Sequence, residues 1–307
     1  MDGVVNVHKT AGPTSHDIVD GLRRIFGQKR VGHAGTLDPM ATGVLVVCLG
    51  KATRIAEYLT ATDKEYRAVM TLGVTTDTQD STGEIIAESD ASGVTPEAIK
   101  LAAGSFVGDI EQIPPMISAI KHEGKPLYKH AREGRTIERA PRPVTVYSID
   151  VSIPPGILPG GLNRAEAELT VRCSSGTYIR TLCADIGEAL GCGGMMSSLQ
   201  RTRVGRFTID QAVTVDQLDE ALTEGRLADC VCKMSDALED MPAVRVDSEA
   251  EIRILRGLSV AASEGLALGS TVRVLTASGE LLAIGVIAEI DASLAVKPHK
   301  VLAGASQ

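Results

Sequence analysis

Tryptophan is absent from the 307 residues, and only three phenylalanines and five tyrosines are present. A core must therefore be built almost wholly from aliphatic side chains, and each tyrosine stands out as an aromatic with a polar tip. The six cysteines form no C-x-x-C pair and have no histidine at zinc-site spacing. The closest pair, Cys230 and Cys232, reads as two helix or loop residues, so no metal is expected. Apolar runs are short: Val44–Leu49 and Leu281–Ile287 fall far below the roughly 18–20 residues that a membrane helix needs. The stretch Met1–Lys9 lacks a basic region leading into an apolar one, which places the chain in the cytoplasm with no membrane partner. G-x-x-x-x-G-K-[ST], G-x-S-x-G and H-E-x-x-H are all missing, which removes most support for nucleotide hydrolysis, serine-hydrolase chemistry and zinc peptidases.

Apolar residues at 44% and charged residues at 23% are ordinary globular usage, and the length suits one large domain and one small one. The net charge of −8 argues at first against a polyanionic partner. Its distribution changes that reading. Between Ile209 and Glu251 twelve acidic residues face three basic ones, so the rest of the chain is close to neutral. Lys121–Arg142 carries seven bases against three acids, with His122 and His130 in addition. Arg23-Arg24 with Lys29-Arg30, and Arg201 with Arg203 and Arg206, could extend a positive face if folding joins them. The alternative is solvated surface charge.

Periodicity predicts helices over Ser15–Phe26, with Ser15 as cap, and over Lys51–Thr60, Thr95–Gly104, Thr177–Leu190 and Ser248–Arg256. Gly43–Leu49 reads as a buried strand, and extended segments are expected at Tyr66–Leu72, Gly83–Ala87, Met116–Lys121, Val144–Ile153 and Glu166–Cys173. Pro154–Leu162 has the chemistry of a loop, and a linker is expected near Glu239–Pro242. Short strands follow at Ala243–Val246, Thr271–Leu275, Leu281–Ile287 and Leu294–Val296. The pattern gives an α+β chain: a mixed α/β domain over 1–240 and a small β-rich domain over 241–307.

Three segments could carry chemistry. Gly32–Gly43 packs three glycines, a proline, His33 and Asp38 between a helix and a buried strand. Such a loop presents its polar groups to a ligand. Asp38 suits a nucleophile, a general base or a turn former, and His33 a ligand contact or plain loop surface. Cys173–Leu182 turns from a strand into a helix where Ser175 or Thr177 could cap, with Arg180 in the first turn as an anion partner or a surface arginine. Tyr66 follows Asp63-Lys64-Glu65 at a strand start, as a half-buried strand aromatic or a stacking platform for a base.

Taken together these segments resemble the TruB-type tRNA pseudouridine-55 synthases. The resemblance is carried by Lys9–Ser15, Gly32–Leu45, Lys64–Arg67, Thr75–Asp80, Pro114–Lys121, Ser174–Leu182 and Leu199–Phe207, in order from about Gly3 to Ile209. Thr10 departs from the proline common in the family after the lysine. Gly257 and Lys297–Lys300 resemble a small PUA-type RNA-binding domain. The resemblance implies cofactor-free isomerisation of a uridine in the T-loop of tRNA, the base being extruded from the RNA fold. It assigns Asp38 as nucleophilic carboxylate, attacking either base or sugar, and Arg180 as the partner that keeps it ionised. Tyr66 would stack on the target base and assist proton transfer, and Tyr178 would wall the pocket. His33 would take the vacated place in the RNA stack. Lys9, Lys121, Lys125, Lys129 and Arg132 would contact RNA, Lys121–Arg142 as a clamp. The T-arm of tRNA is the implied partner, with no obligatory protein partner and a monomeric chain. Two rival readings remain beside it: an RNA-binding protein without turnover, and a synthase directed by a guide RNA.

Overall fold

The computed structural model describes residues 1–118, 120–153, 164–263 and 265–302, so the loop read at Pro154–Leu162 lies outside the described residues. The first thirteen strands are β1 (Gly3–Lys9), β2 (Val31–His33), β3 (Thr42–Leu49), β4 (Lys64–Leu72), β5 (Val74–Thr76), β6 (Ile85–Glu88), β7 (Gly108–Gln112), β8 (Lys121–His122), β9 (Lys125–Pro126), β10 (Arg142–Ser152), β11 (Ala165–Cys173), β12 (Gly194–Val204) and β13 (Phe207–Thr208). Five more follow: β14 (Ala243–Arg245), β15 (Val260–Ala261), β16 (Thr271–Leu275), β17 (Leu281–Ile290) and β18 (Ser293–Val301). The helices are α1 (Ser15–Ile25), α2 (Ala56–Thr60), α3 (Pro96–Gly104), α4 (Leu127–Arg132), α5 (Ile179–Ala189), α6 (Val215–Thr223), α7 (Met234–Ala237) and α8 (Ser248–Leu255). Among the described residues none is long and apolar enough to cross a membrane.

A nine-stranded sheet runs β1-β3-β12-β4-β11-β10-β7, with β2 on β3 and β13 on β12. β3 explains why its sequence is an unbroken apolar run. Leu45, Val47 and Leu49 join the core under α1 and α5, while Val44, Val46 and Cys48 join a second cluster on the opposite face. A strand covered on both faces loses the usual alternation. That second cluster includes Ile55 and Leu59 around α2, together with Leu275, Leu281, Ile284 and Leu302 of the C-terminal β-rich part. The C-terminal sheet, ordered β14-β16-β17-β18-β15, is thus seated on the back of β3. Lys300 pairs with Glu57 across that seat.

The sheet changes character at one seam. β3 and β12 pair in parallel at Thr42 with Gln200 and Gly43 with Arg201, whereas β12 and β4 run antiparallel. Gly43 has φ +103°, and a Cβ there would stand 2.2 Å from the Arg201 carbonyl oxygen, so only glycine lets the two backbones approach this closely.

Several local expectations are corrected. α1 is capped by Thr14, which forms a reciprocal capping box with Asp17, and Ser15 is buried instead. α5 begins at Ile179 without a side-chain cap, because the Thr177 hydroxyl donates to the Ser174 carbonyl. Lys51–Thr60 divides into a 3₁₀ turn at Gly50–Arg54 and α2. Met116–Ser118 is a bend, and only Lys121–His122 of the expected extended segment is strand. The acidic segment carries α6 and α7 and bonds to the outer edge of β1: Val4 and Cys232 exchange backbone hydrogen bonds, the His8 N–H donates to the Val213 carbonyl, and the Val213 N–H donates to the Asn6 carbonyl. The exposed edge of the large sheet is thereby covered. Glu239 and Met241, in the stretch read as a linker, accept from the Arg273 guanidinium.

Candidate active site

The Asp38 loop closes the end of the β3–β12 seam and is pinned from four sides. Lys9 Nζ donates to the carbonyls of Thr10, Pro39 and Ala41 at 3.0, 3.1 and 2.7 Å. Ser15 Oγ receives the Leu37 N–H at 2.8 Å and donates back to the Leu37 carbonyl at 3.0 Å. The Gly12 N–H reaches the Pro39 carbonyl at 2.9 Å. Arg201, only 2% exposed, donates to the carbonyls of Gly35, Thr36 and Val44. None of these pins uses the Asp38 side chain, which is left to the cavity. The expectation for Lys9 is corrected here: its ammonium is fully buried and spent on loop carbonyls, not turned toward RNA. Burial brings its pKa down to about 8.

Arg180, in the first turn of α5, lies against that carboxylate. Its Nε is 3.1 Å from Asp38 Oδ2 and its Nη2 is 3.5 Å from Oδ1, a side-on pairing. Nη2 also donates to the Ile117 carbonyl at 2.8 Å, and Nη1 to the Thr78 carbonyl at 3.2 Å and Asp80 Oδ2 at 3.3 Å. The guanidinium therefore bridges two carboxylates. Asp80 is itself fixed: Thr78 Oγ1 and the Thr82 N–H donate to its Oδ1 at 2.8 and 3.0 Å. Residues missed as site components are thus Asp80, given no role beyond its place in a resembling stretch, and Arg201, counted there as one of a basic group. Neither carried a sequence signal beyond lying in a resembling stretch.

Burial pushes the Asp38 carboxyl above the usual carboxylate range, with Asp80 adding to the rise and Arg180 as the strongest opposing influence. Asp38 and Arg180 line a cavity of about 270 Å³ together with Lys64, Tyr66, Ser118 and Tyr178. Tyr66 is 9% exposed, and burial raises its phenol, opposed by the charge of Arg201. Tyr178 is fixed by a pair of hydrogen bonds between its backbone and the Gln112 side chain of β7. Among the described residues no cluster of three or more histidines, cysteines or carboxylates could hold a metal.

Comparison with known sequences settles the lineage. Residues 23–179 match the family described as "TruB family pseudouridylate synthase (N terminal domain)", and residues 180–239 match "tRNA pseudouridylate synthase B C-terminal domain". The chain belongs to the TruB family of pseudouridylate synthases. It is accordingly an isomerase of the pseudouridine-synthase class. A TruB relative named tRNA pseudouridine synthase B, from Geotalea uraniireducens, is 45% identical over 258 residues, covering 84% of this chain and 81% of its own length. A second of the same name, from Saccharophagus degradans, is 40% identical over 309 residues, covering 98% of this chain and 96% of its own. Among solved structures, one described as "Crystal Structure of a Cbf5-Nop10-Gar1 Complex" aligns with a TM-score of 0.75 and 31% identity, over 98% of this chain and 85% of that one.

In this TruB-family chain the other residues singled out from sequence are spread more widely. His33 ends β2, half-buried, off the wall of the Asp38 cavity. Burial lowers its pKa. In the basic segment β8, β9 and α4 follow directly on the cavity residues Ile117 and Ser118. Lys129 is exposed there, but Lys125 is paired with Glu133, as is Arg135. Part of the counted positive charge is therefore neutralised within the segment. Lys121 and Arg132 lie in β8 and α4, and their side chains fall outside the described residues.

Proposed function

We propose that the chain converts a uridine in the T-loop of tRNA, at position 55, to pseudouridine, with Asp38 as the nucleophile and no cofactor. The observation that carries this reading is the Asp38 carboxylate, paired side-on with buried Arg180 and opening into a cavity that Tyr66 also lines. The isomerisation breaks the N1–C1′ bond and forms C5–C1′, and the C5 proton is lost while N1 gains one. A carboxylate can support that exchange by attacking either the base or the sugar. Extruding the base costs roughly a few kcal/mol, offset by stacking and backbone contacts. Tyr66 stacks on the extruded base and Tyr178 walls it in, while His33 takes the vacated place in the stack. Lys129, with Lys121, Lys125 and Arg132, holds the T-arm phosphates, and residues 241–307 act as a PUA-like RNA-binding unit. The acidic segment lies along β1, and the basic segment that follows the cavity residues Ile117 and Ser118 is the one left to meet RNA. The enzyme works in the cytoplasm as a monomer that needs no partner.

Purified protein incubated alone with an unmodified T-arm hairpin is expected to yield pseudouridine at position 55 only, read by nucleoside analysis and position mapping. No product from the lone chain would favour a synthase that works only within a complex, for which the likeness to the Cbf5-Nop10-Gar1 complex gives a specific ground. Lys129→Glu is expected to weaken hairpin binding and to flatten its salt dependence by about one unit of log–log slope.

The raised pKa of Asp38 fixes the sign of the pH response. The ionised form is the attacking one, and burial makes it harder to reach. Single-turnover rates are therefore expected to fall with acidification through a midpoint above the ordinary aspartate value of about 3.9. A rate that stays flat down to that value would place the ionisation elsewhere.

A further inference from the structure

Ser118 lines the Asp38 cavity, is only 6% exposed, and its Oγ has no hydrogen-bond partner among the described residues. Leaving a buried hydroxyl unpaired costs about 1–3 kcal/mol, so its occurrence on the wall of a reactive cavity calls for a partner that arrives with the substrate. Several other polar groups lining the cavity are engaged. Arg180 is divided among Asp38, Asp80 and the carbonyls of Thr78 and Ile117. Arg201 is taken up by three loop carbonyls, Lys64 by the carbonyls of Thr60 and Thr62, and Thr177 by Ser174. The Tyr178 hydroxyl is near enough for Ser118 to oppose the burial-driven rise of the phenol, yet the Ser118 hydroxyl meets full hydrogen-bond geometry with no group among the described residues. Its position is set by the chemistry next door, because the Ile117 carbonyl, one residue earlier, accepts from the same Arg180 Nη2 that faces Asp38.

We propose that Ser118 donates its hydroxyl to a carbonyl oxygen of the uracil held in this cavity, a contact that rests on the reading that the cavity receives the target base. Uracil suits such a contact in both substrate and product. Rotation by half a turn about the axis through N3 and C6 exchanges N1 with C5 and O2 with O4. A hydroxyl facing one carbonyl of bound uridine therefore faces the other carbonyl once the base has turned to present C5 to the sugar. One fixed donor can steady the ring on both sides of the rearrangement.

Ser118→Ala is expected to lower kcat/KM on a T-arm hairpin about fivefold, the effect of one neutral hydrogen bond, with hairpin affinity unchanged because phosphate contacts dominate it. The decisive comparison uses hairpins with 2-thiouridine or 4-thiouridine at the target, since sulfur is a weaker acceptor than oxygen. Wild-type protein and Ser118→Thr, which keeps the hydroxyl, should lose about fivefold on at least one thio substrate, and Ser118→Ala should show no further loss on that substrate. Equal thio penalties in wild type and Ser118→Ala, or full activity of Ser118→Ala on uridine, would overturn the contact. Asp38→Asn is run alongside. If it turned over normally, the cavity reading itself would fall, which separates that failure from failure at Ser118.

Discussion

Asp38→Asn is expected to reduce pseudouridine formation by roughly 10³-fold or more while leaving T-arm binding within about twofold. The amide has almost the shape of the carboxylate but cannot supply a charged nucleophilic oxygen. Its effect should stay local, because the loop is held by Lys9, Gly12, Ser15 and Arg201 through backbone groups that the substitution does not touch. Arg180 keeps its bonds to Asp80, Thr78 and Ile117. Nucleoside analysis after single turnover, with filter binding on the same samples, checks both halves. Retained turnover would remove Asp38 from the reaction. Loss of binding and turnover together would mean that the loop had collapsed.

Arg180→Met is expected to abolish turnover and also to destabilise the fold by about 3–5 kcal/mol, the usual cost of removing one partner from a buried ionic arrangement. Methionine matches the length of the side chain but none of its donors. It would leave Asp80, whose side chain is 5% exposed, facing Asp38 with no intervening cation, and would strand the carbonyls of Thr78 and Ile117. Arg180→Lys should recover part of the stability without restoring the rate, because a single ammonium cannot reproduce the side-on pairing and still reach Asp80. Urea denaturation beside the turnover assay separates the two effects. A methionine variant as stable as wild type would show that the two carboxylates do not need the arginine to coexist. In the double variant Arg180→Met, Asp80→Asn the stability losses should sum to less than the separate values, because the second change removes the charge that the first left exposed to repulsion.

What could be read from sequence was largely what has a clean period. α1, α3 and α8 show helical spacing and appear close to the expected bounds, as does the buried run of β3. β12 did not show itself, although it is central to the large sheet. Bulges between Met196 and Ser198 and between Arg201 and Arg203 shift its residues from one face to the other, which destroys the alternation that marks a strand. Its largest buried side chain is also an arginine, a residue type that reads as surface charge. β1 was hidden in the same way by Asn6 and Lys9, polar residues that are buried and hydrogen-bonded. In the site, Asp38, Tyr66 and Arg180 stood out because each lies in a resembling stretch at the edge of an element. Asp80 could not be assigned a partner, since its meaning depends on a guanidinium 100 residues away. Lys9 lies in a resembling stretch, but a sequence does not reveal whether its ammonium points to solvent or, as here, to three carbonyls.

The parallel seam between β3 and β12 has a consequence for the order in which the molecule assembles. Arg201 meets Val44 across 157 residues of chain, and it is the joining of these two strands that seats the arginine beneath the Asp38 loop. Local hairpins and helices can form long before so large a loop closes, and contacts of high sequence separation are slow to find. A nascent or refolding chain can thus contain much of its secondary structure while its reactive carboxylate has no fixed place. Chemical competence is then tied to a long-range pairing and is expected to appear later than the local structure around it.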